Sequence, residues 1–97
     1  MRLTQFEKNT ILNVSREFYG KNSKISLFGS RVDDSQKGGD IDLLIEPEWK
    51  KFDLEYKLYF LVSLKSMIGD QKIDLVIDQG EDNLFMNSIR SKSFLLQ

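Results

Sequence analysis

The sequence contains no cysteine and no histidine. The first absence excludes disulfides, zinc–thiolate centres and thiol nucleophiles; the second excludes imidazole bases and His-ligated metals. Chemistry in this chain must therefore run on carboxylates, hydroxyls, lysine, arginine and bound hard cations. All-oxygen ligation favours Mg²⁺, Mn²⁺ or Ca²⁺ over softer transition metals. Also missing is an apolar run of about 18 residues, the length needed to span a bilayer. The N-terminus Met1-Arg2-Leu3-Thr4-Gln5 has no signal-peptide core. No membrane role is expected, and the cytoplasm is the default compartment. With 14 basic and 15 acidic residues the net charge is −1, which argues against broad, charge-driven nucleic-acid binding.

What is present fits one small globular domain spanning residues 1–97, with 40% apolar and 30% charged residues. A chain of this size buries only roughly 60–65% of its unfolded surface, so its stability margin is thin and a partner can supplement it. The first helix is predicted over Thr4–Tyr19, where Phe6, Ile11, Leu12, Val14 and Phe18 approximate a stripe and Thr4 with Glu7 fits a capping box. Lys24–Phe28 alternates as a strand running into a Gly-Ser turn, and the polar stretch Arg31–Gly39 reads as a loop that opens with a helical turn. A strand over Asp40–Ile45, a helix over Phe52–Met67, a strand over Lys72–Asp78 and a helix over Asp82–Lys92 follow. The spacing suits a parallel strand pair with a helical crossover and an antiparallel neighbour. The expected fold is α+β, a small mixed sheet with helices on one side.

The chemistry-bearing residues concentrate in Phe28-Gly29-Ser30-Arg31 and Gly39-Asp40-Ile41-Asp42-Leu43. Glycine lets a backbone approach an anion closely. The N–H groups that follow, with the Ser30 hydroxyl and Arg31, can donate to phosphate oxygens. Asp40 and Asp42 alternate with buried positions, so they project from one face of a strand and repel one another unless a cation lies between them. Asp74 holds, in Ile73-Asp74-Leu75, the place that Asp42 holds in Ile41-Asp42-Leu43. It is the candidate third ligand of a divalent-metal site. The plainer alternatives are an ordinary Gly-Ser turn and three solvated strand-end aspartates, although aspartate is disfavoured in strands. The Phe52–Met67 helix is apolar nearly all round, which leaves open whether it is simply core or also meets another subunit. Lys50-Lys51 and Lys21–Lys24 read as solvated surface.

From about Ile25 to the C-terminus the chain resembles a minimal nucleotidyltransferase (MNT) of the DNA polymerase β-like superfamily. The superfamily pattern is a Gly-Ser turn, a spacer, Asp-x-Asp and a third carboxylate on a later strand. One departure is Gly39, where such proteins commonly carry serine. The resemblance implies that Gly29, Ser30 and Arg31 bind the triphosphate of ATP or another nucleoside triphosphate. It implies that Asp40, Asp42 and Asp74 are catalytic and ligate two Mg²⁺ ions. It further implies transfer of AMP to a hydroxyl, a tyrosine of a helical HEPN-domain partner, by the antitoxin half of a toxin–antitoxin pair. Because the chain is short, the acceptor surface is expected to come from another chain, and a homo-oligomer stays open. The alternative is a non-catalytic nucleotide- and metal-binding module that neutralises its partner by forming a complex.

Overall fold

In the computed structural model, residues 2–32, 39–49 and 53–96 are described. Helix α1, Gln5–Tyr19, begins at Thr4, whose hydroxyl accepts from the Glu7 N–H while the Glu7 carboxylate accepts from the Thr4 N–H. This is the expected capping box, which satisfies two otherwise unpaired donors. Strand β1 spans Lys24–Phe28 and leads directly into a 3₁₀ turn, Gly29–Val32. Strand β2 follows at Ile41–Glu46, helix α2 at Leu54–Ile68 and strand β3 at Ile73–Ile77. Helix α3, Leu84–Lys92, starts at Asn83, and the apolar tail forms a two-residue strand β4, Phe94–Leu95. Residues 33–38 of the expected loop, Lys50, Lys51 and the expected helix start at Phe52 lie outside the described residues.

The sheet order is β3-β2-β1-β4. β1 and β2 are antiparallel, while β2 and β3 are parallel and joined through α2, as the element spacing required. The tail adds a pairing that periodicity did not reveal: Ser26 and Leu27 pair antiparallel with Leu95 and Phe94, and the Leu96 N–H donates to Ile25 at 2.9 Å. Two residues carry no readable alternation, so only long-range pairing identifies them as a strand.

Side-chain parity divides the sheet into two faces. Ile25, Leu27, Ile41, Leu43, Ile45, Ile73 and Leu75 pack with Ile11 and Val14 of α1 and Phe60 and Leu64 of α2. The expected layering, helices on one side, holds for these two helices. The short α3 lies on the opposite face, where Met86 and Ile89 cover Leu44, Phe28 and Val76. The reason is legible in β2 itself, because Leu44 is apolar on the face that alternation assigns to solvent. Phe18, Tyr19, Tyr56 and Phe60 fasten α1 to α2 through edge-to-face contacts, with centroids 5.3 to 5.6 Å apart. Leu54, Leu58, Tyr59 and Val62 of α2 remain exposed, so this side of the nearly all-apolar helix faces away from the core. Among the described residues no helix is long and apolar enough to cross a membrane.

Candidate active site

Asp42 sits in β2 between two neighbours, opposite Phe28 of β1 and opposite Asp74 of β3. The first parallel pair, Ile41 with Ile73, is closed by the Ile41 N–H donating to the Lys72 carbonyl at 3.0 Å, which sets Lys72 beside Asp40. Lys72 therefore stands across from Asp40 as Asp74 stands across from Asp42. The odd-numbered Ile41, Leu43, Ile73 and Leu75 are buried on the opposite face. Their burial fixes the register, and the register turns the polar residues between them onto the α3 side. One carboxylate oxygen from each of Asp40, Asp42 and Asp74 can be chosen so that all lie within 4.8 Å of one another.

Like charges this close raise the cost of ionisation. Burial, then the neighbouring Asp74 and Asp40, push the Asp42 carboxyl up to about 6, with Lys72 acting in the other direction. The Lys72 ammonium lies 3.4 Å from Asp40 Oδ2. Gly29 makes room for the cluster. It has φ of +76°, and a Cβ there would lie 2.1 Å from Asp42 Oδ2. Only a residue without a side chain can turn the chain so close to that carboxylate. Gly39, the departure from the superfamily pattern, has φ of +90°, a backbone region that a serine rarely adopts.

Arg31 is held by groups of the protein itself. Its guanidinium donates to the Gly39 carbonyl at 3.3 Å, to the Arg2 carbonyl at 2.9 Å and to Gln71 Oε1 at 3.1 Å. Gln71 in turn donates to Glu7 of α1 at 2.6 Å. Arg31 thus ties the glycine turn, the start of β2 and α1 together, and a phosphate contact would require it to leave these partners. The Ser30 side chain lies outside the described part of the structure. Two residues were not singled out from sequence: Lys72 and Gln71. A signal for Lys72 existed, since Lys72-Ile73-Asp74 aligns with Asp40-Ile41-Asp42.

The opposite end of the same face is also charged but internally matched. Asp78, just past β3, accepts from Arg90 Nε at 2.8 Å and Arg90 Nη2 at 2.7 Å. A 170 Å³ pocket opens there, lined by Ser26, Leu44, Glu46, Asp78 and Arg90 among others.

Solved structures share this architecture. One, of a toxin–antitoxin with AMP-PNP, matches with a TM-score of 0.76 and 23% identity over 93% of this chain and 72% of that chain. A second, of a tri-AMPylated Shewanella oneidensis HEPN toxin in complex with MNT antitoxin, matches with a TM-score of 0.73 and 22% identity, covering 98% and 72%. A third, a toxin–antitoxin MntA–HpeT mutant, matches with a TM-score of 0.74 and 20% identity, covering 93% and 71%. No curated protein matches the sequence significantly. The structural likeness defines the class: an α+β domain with the nucleotidyltransferase fold. The chain belongs to the nucleotidyltransferase domain family, whose sequence model matches residues 8–96.

Membership implies a nucleoside triphosphate substrate and a divalent metal. The donor set fits such an ion. Three carboxylates converge, all of them hard oxygen ligands, and burial, followed by the closeness of Asp74 and Asp40, raises the Asp42 pKa.

Proposed function

We propose that this chain is a minimal, single-domain nucleotidyltransferase that moves AMP from ATP onto a hydroxyl, a tyrosine of a HEPN-domain partner. In that role it is the antitoxin of a toxin–antitoxin pair. The observation that carries the reading is the convergence of Asp40, Asp42 and Asp74 beside the Gly29 turn. The structural neighbours described as toxin–antitoxin complexes support the choice of partner.

Asp40, Asp42 and Asp74 are the residues that would hold two Mg²⁺ ions. Such ions would supply a lowered pKa for the attacking hydroxyl and charge neutralisation for departing pyrophosphate. Backbone N–H groups of the Gly29–Val32 turn, with the Ser30 hydroxyl, would donate to phosphate oxygens. The acceptor oxygen bonds to the α-phosphorus while the bond to pyrophosphate breaks. Asp74, the most exposed of the three, serves as ligand or as acceptor of the hydroxyl proton. None of these steps needs histidine.

The test is incubation with ATP, Mg²⁺ and the HEPN partner, followed by intact mass measurement. Wild type should add adenylyl groups to the partner, and Asp40→Asn with Asp42→Asn should add none. An adenylylated partner in the presence of the double variant would sink the enzymatic reading. A second reading, neutralisation by binding alone, is favoured by the exposed apolar face of α2, where Leu54, Leu58 and Val62 recur at helical spacing. It wins if wild type forms a stable complex and never modifies its partner.

A further inference from the structure

We propose that Lys72 is a built-in counter-ion of the carboxylate cluster, displaced when the second metal enters and then passed to the phosphate chain of the nucleotide. The proposal rests on the metal and nucleotide roles assigned above and adds a residue that neither the family pattern nor the triad includes. Lys72, Asp40, Asp42 and Asp74 form the corners of a rectangle across two paired strands, three acids and one ammonium. The ammonium is 3.4 Å from Asp40 Oδ2. It therefore stands where a cation bound by Asp40 would stand.

Charge balance gives this placement a consequence. Three ionised carboxylates and one ammonium leave two negative charges, the complement of a single divalent ion. A second ion at Asp40 competes with Lys72 for the oxygen that the ammonium now faces, because two cations this close repel one another. Once displaced, the side chain is not lost to the site. It is largely exposed, with 72% of its side chain accessible, and its backbone stays pinned by the Ile41 hydrogen bond. A long flexible ammonium held beside the metal ligands can follow the negative charge to the incoming phosphates. Arg31 is meanwhile committed to Gly39, Arg2 and Gln71, so among the described residues Lys72 is the cation in contact with the cluster.

The experiment compares the full-length wild type, Lys72→Met and Lys72→Arg, with folding checked by circular dichroism. Mn²⁺ binding without nucleotide is measured by electron paramagnetic resonance. AMP-PNP binding at saturating Mn²⁺ is measured by calorimetry. Lys72→Met should bind Mn²⁺ about threefold more tightly, a gain that shrinks at high salt. The same variant should bind AMP-PNP several-fold more weakly, and Lys72→Arg should restore nucleotide affinity. Opposite changes in the two affinities are the signature, since a merely structural role moves both in one direction. Unchanged or weaker Mn²⁺ binding by Lys72→Met overturns the proposal, as does unchanged AMP-PNP binding. If wild type itself binds no Mn²⁺, the failure belongs to the metal-site reading underneath.

Discussion

The two ends of the α3-side sheet face carry the same residue type under opposite conditions. At one end Asp40, Asp42 and Asp74 crowd together, and burial with mutual repulsion pushes Asp42 up to about 6. At the other end, four residues along from Asp74, Asp78 is gripped by both arms of Arg90, which holds its carboxyl below the usual aspartate value with help from the Gly80 N–H. The matched end joins α3 to the sheet, with the Asp78 carboxylate paired inside the protein. The unmatched end is less stable as it stands and is therefore the end that a divalent cation can improve. Electrostatic dissatisfaction, and not acidity as such, separates the candidate site from the scaffold.

The comparison can be broken most severely at the unmatched end. Replacing Asp40 and Asp42 together with asparagine should abolish adenylyl transfer, by about 10²–10³-fold or more, with the helical circular dichroism signal retained. At the matched end Asp78→Asn should leave metal affinity unchanged and destabilise the fold by about 2 kcal/mol, because Arg90 loses a charge-assisted partner. Urea denaturation with and without Mg²⁺ separates these two outcomes. Gly29→Ala should act on both levels, costing about 1 kcal/mol through its positive φ and weakening Mg²⁺ binding by displacing the Asp42 carboxylate.

The smallest expected effect is in pH dependence, where the two ends have opposite signs. The folded pKa of Asp42 is raised, so the folded state holds its proton more tightly than the unfolded chain. Its contribution to stability is present below the ordinary aspartate value and is lost as pH rises towards about 6. The folded pKa of Asp78 is lowered, so its contribution is present above the ordinary value and is lost as pH falls through the folded one. Asp42→Asn should consequently stabilise the metal-free protein at pH 7 relative to wild type, with no such gain at pH 4. Thermal melts in chelator at the two pH values measure the difference.

Much of the site was readable before the fold was known, for a definite reason. The residues Ile41, Leu43, Ile73 and Leu75 declare two buried strands, and period-two geometry then dictates that Asp42 and Asp74 share a face. The Thr4 capping box and the parallel crossover are likewise local or spacing-limited features. What escaped depended on contacts between distant segments. Arg31 looks like a free phosphate ligand in sequence, whereas its partners Arg2 and Gln71 are far from it along the chain. The position of α3 followed from Leu44 breaking the alternation of β2, a single residue outvoted by its neighbours. β4 was too short to carry a pattern at all.

That last strand has a consequence for how the molecule comes into being. Gly29, Asp40, Asp42 and Asp74 all precede α3 and β4 in the chain. Until β4 is in place, the far edge of β1 is bare. When Leu95 and Phe94 arrive they cap that edge, and Leu96 is sealed into the main core. Phe94, Leu95 and Leu96 thus work as a fastener, protecting an open sheet edge from pairing with other chains.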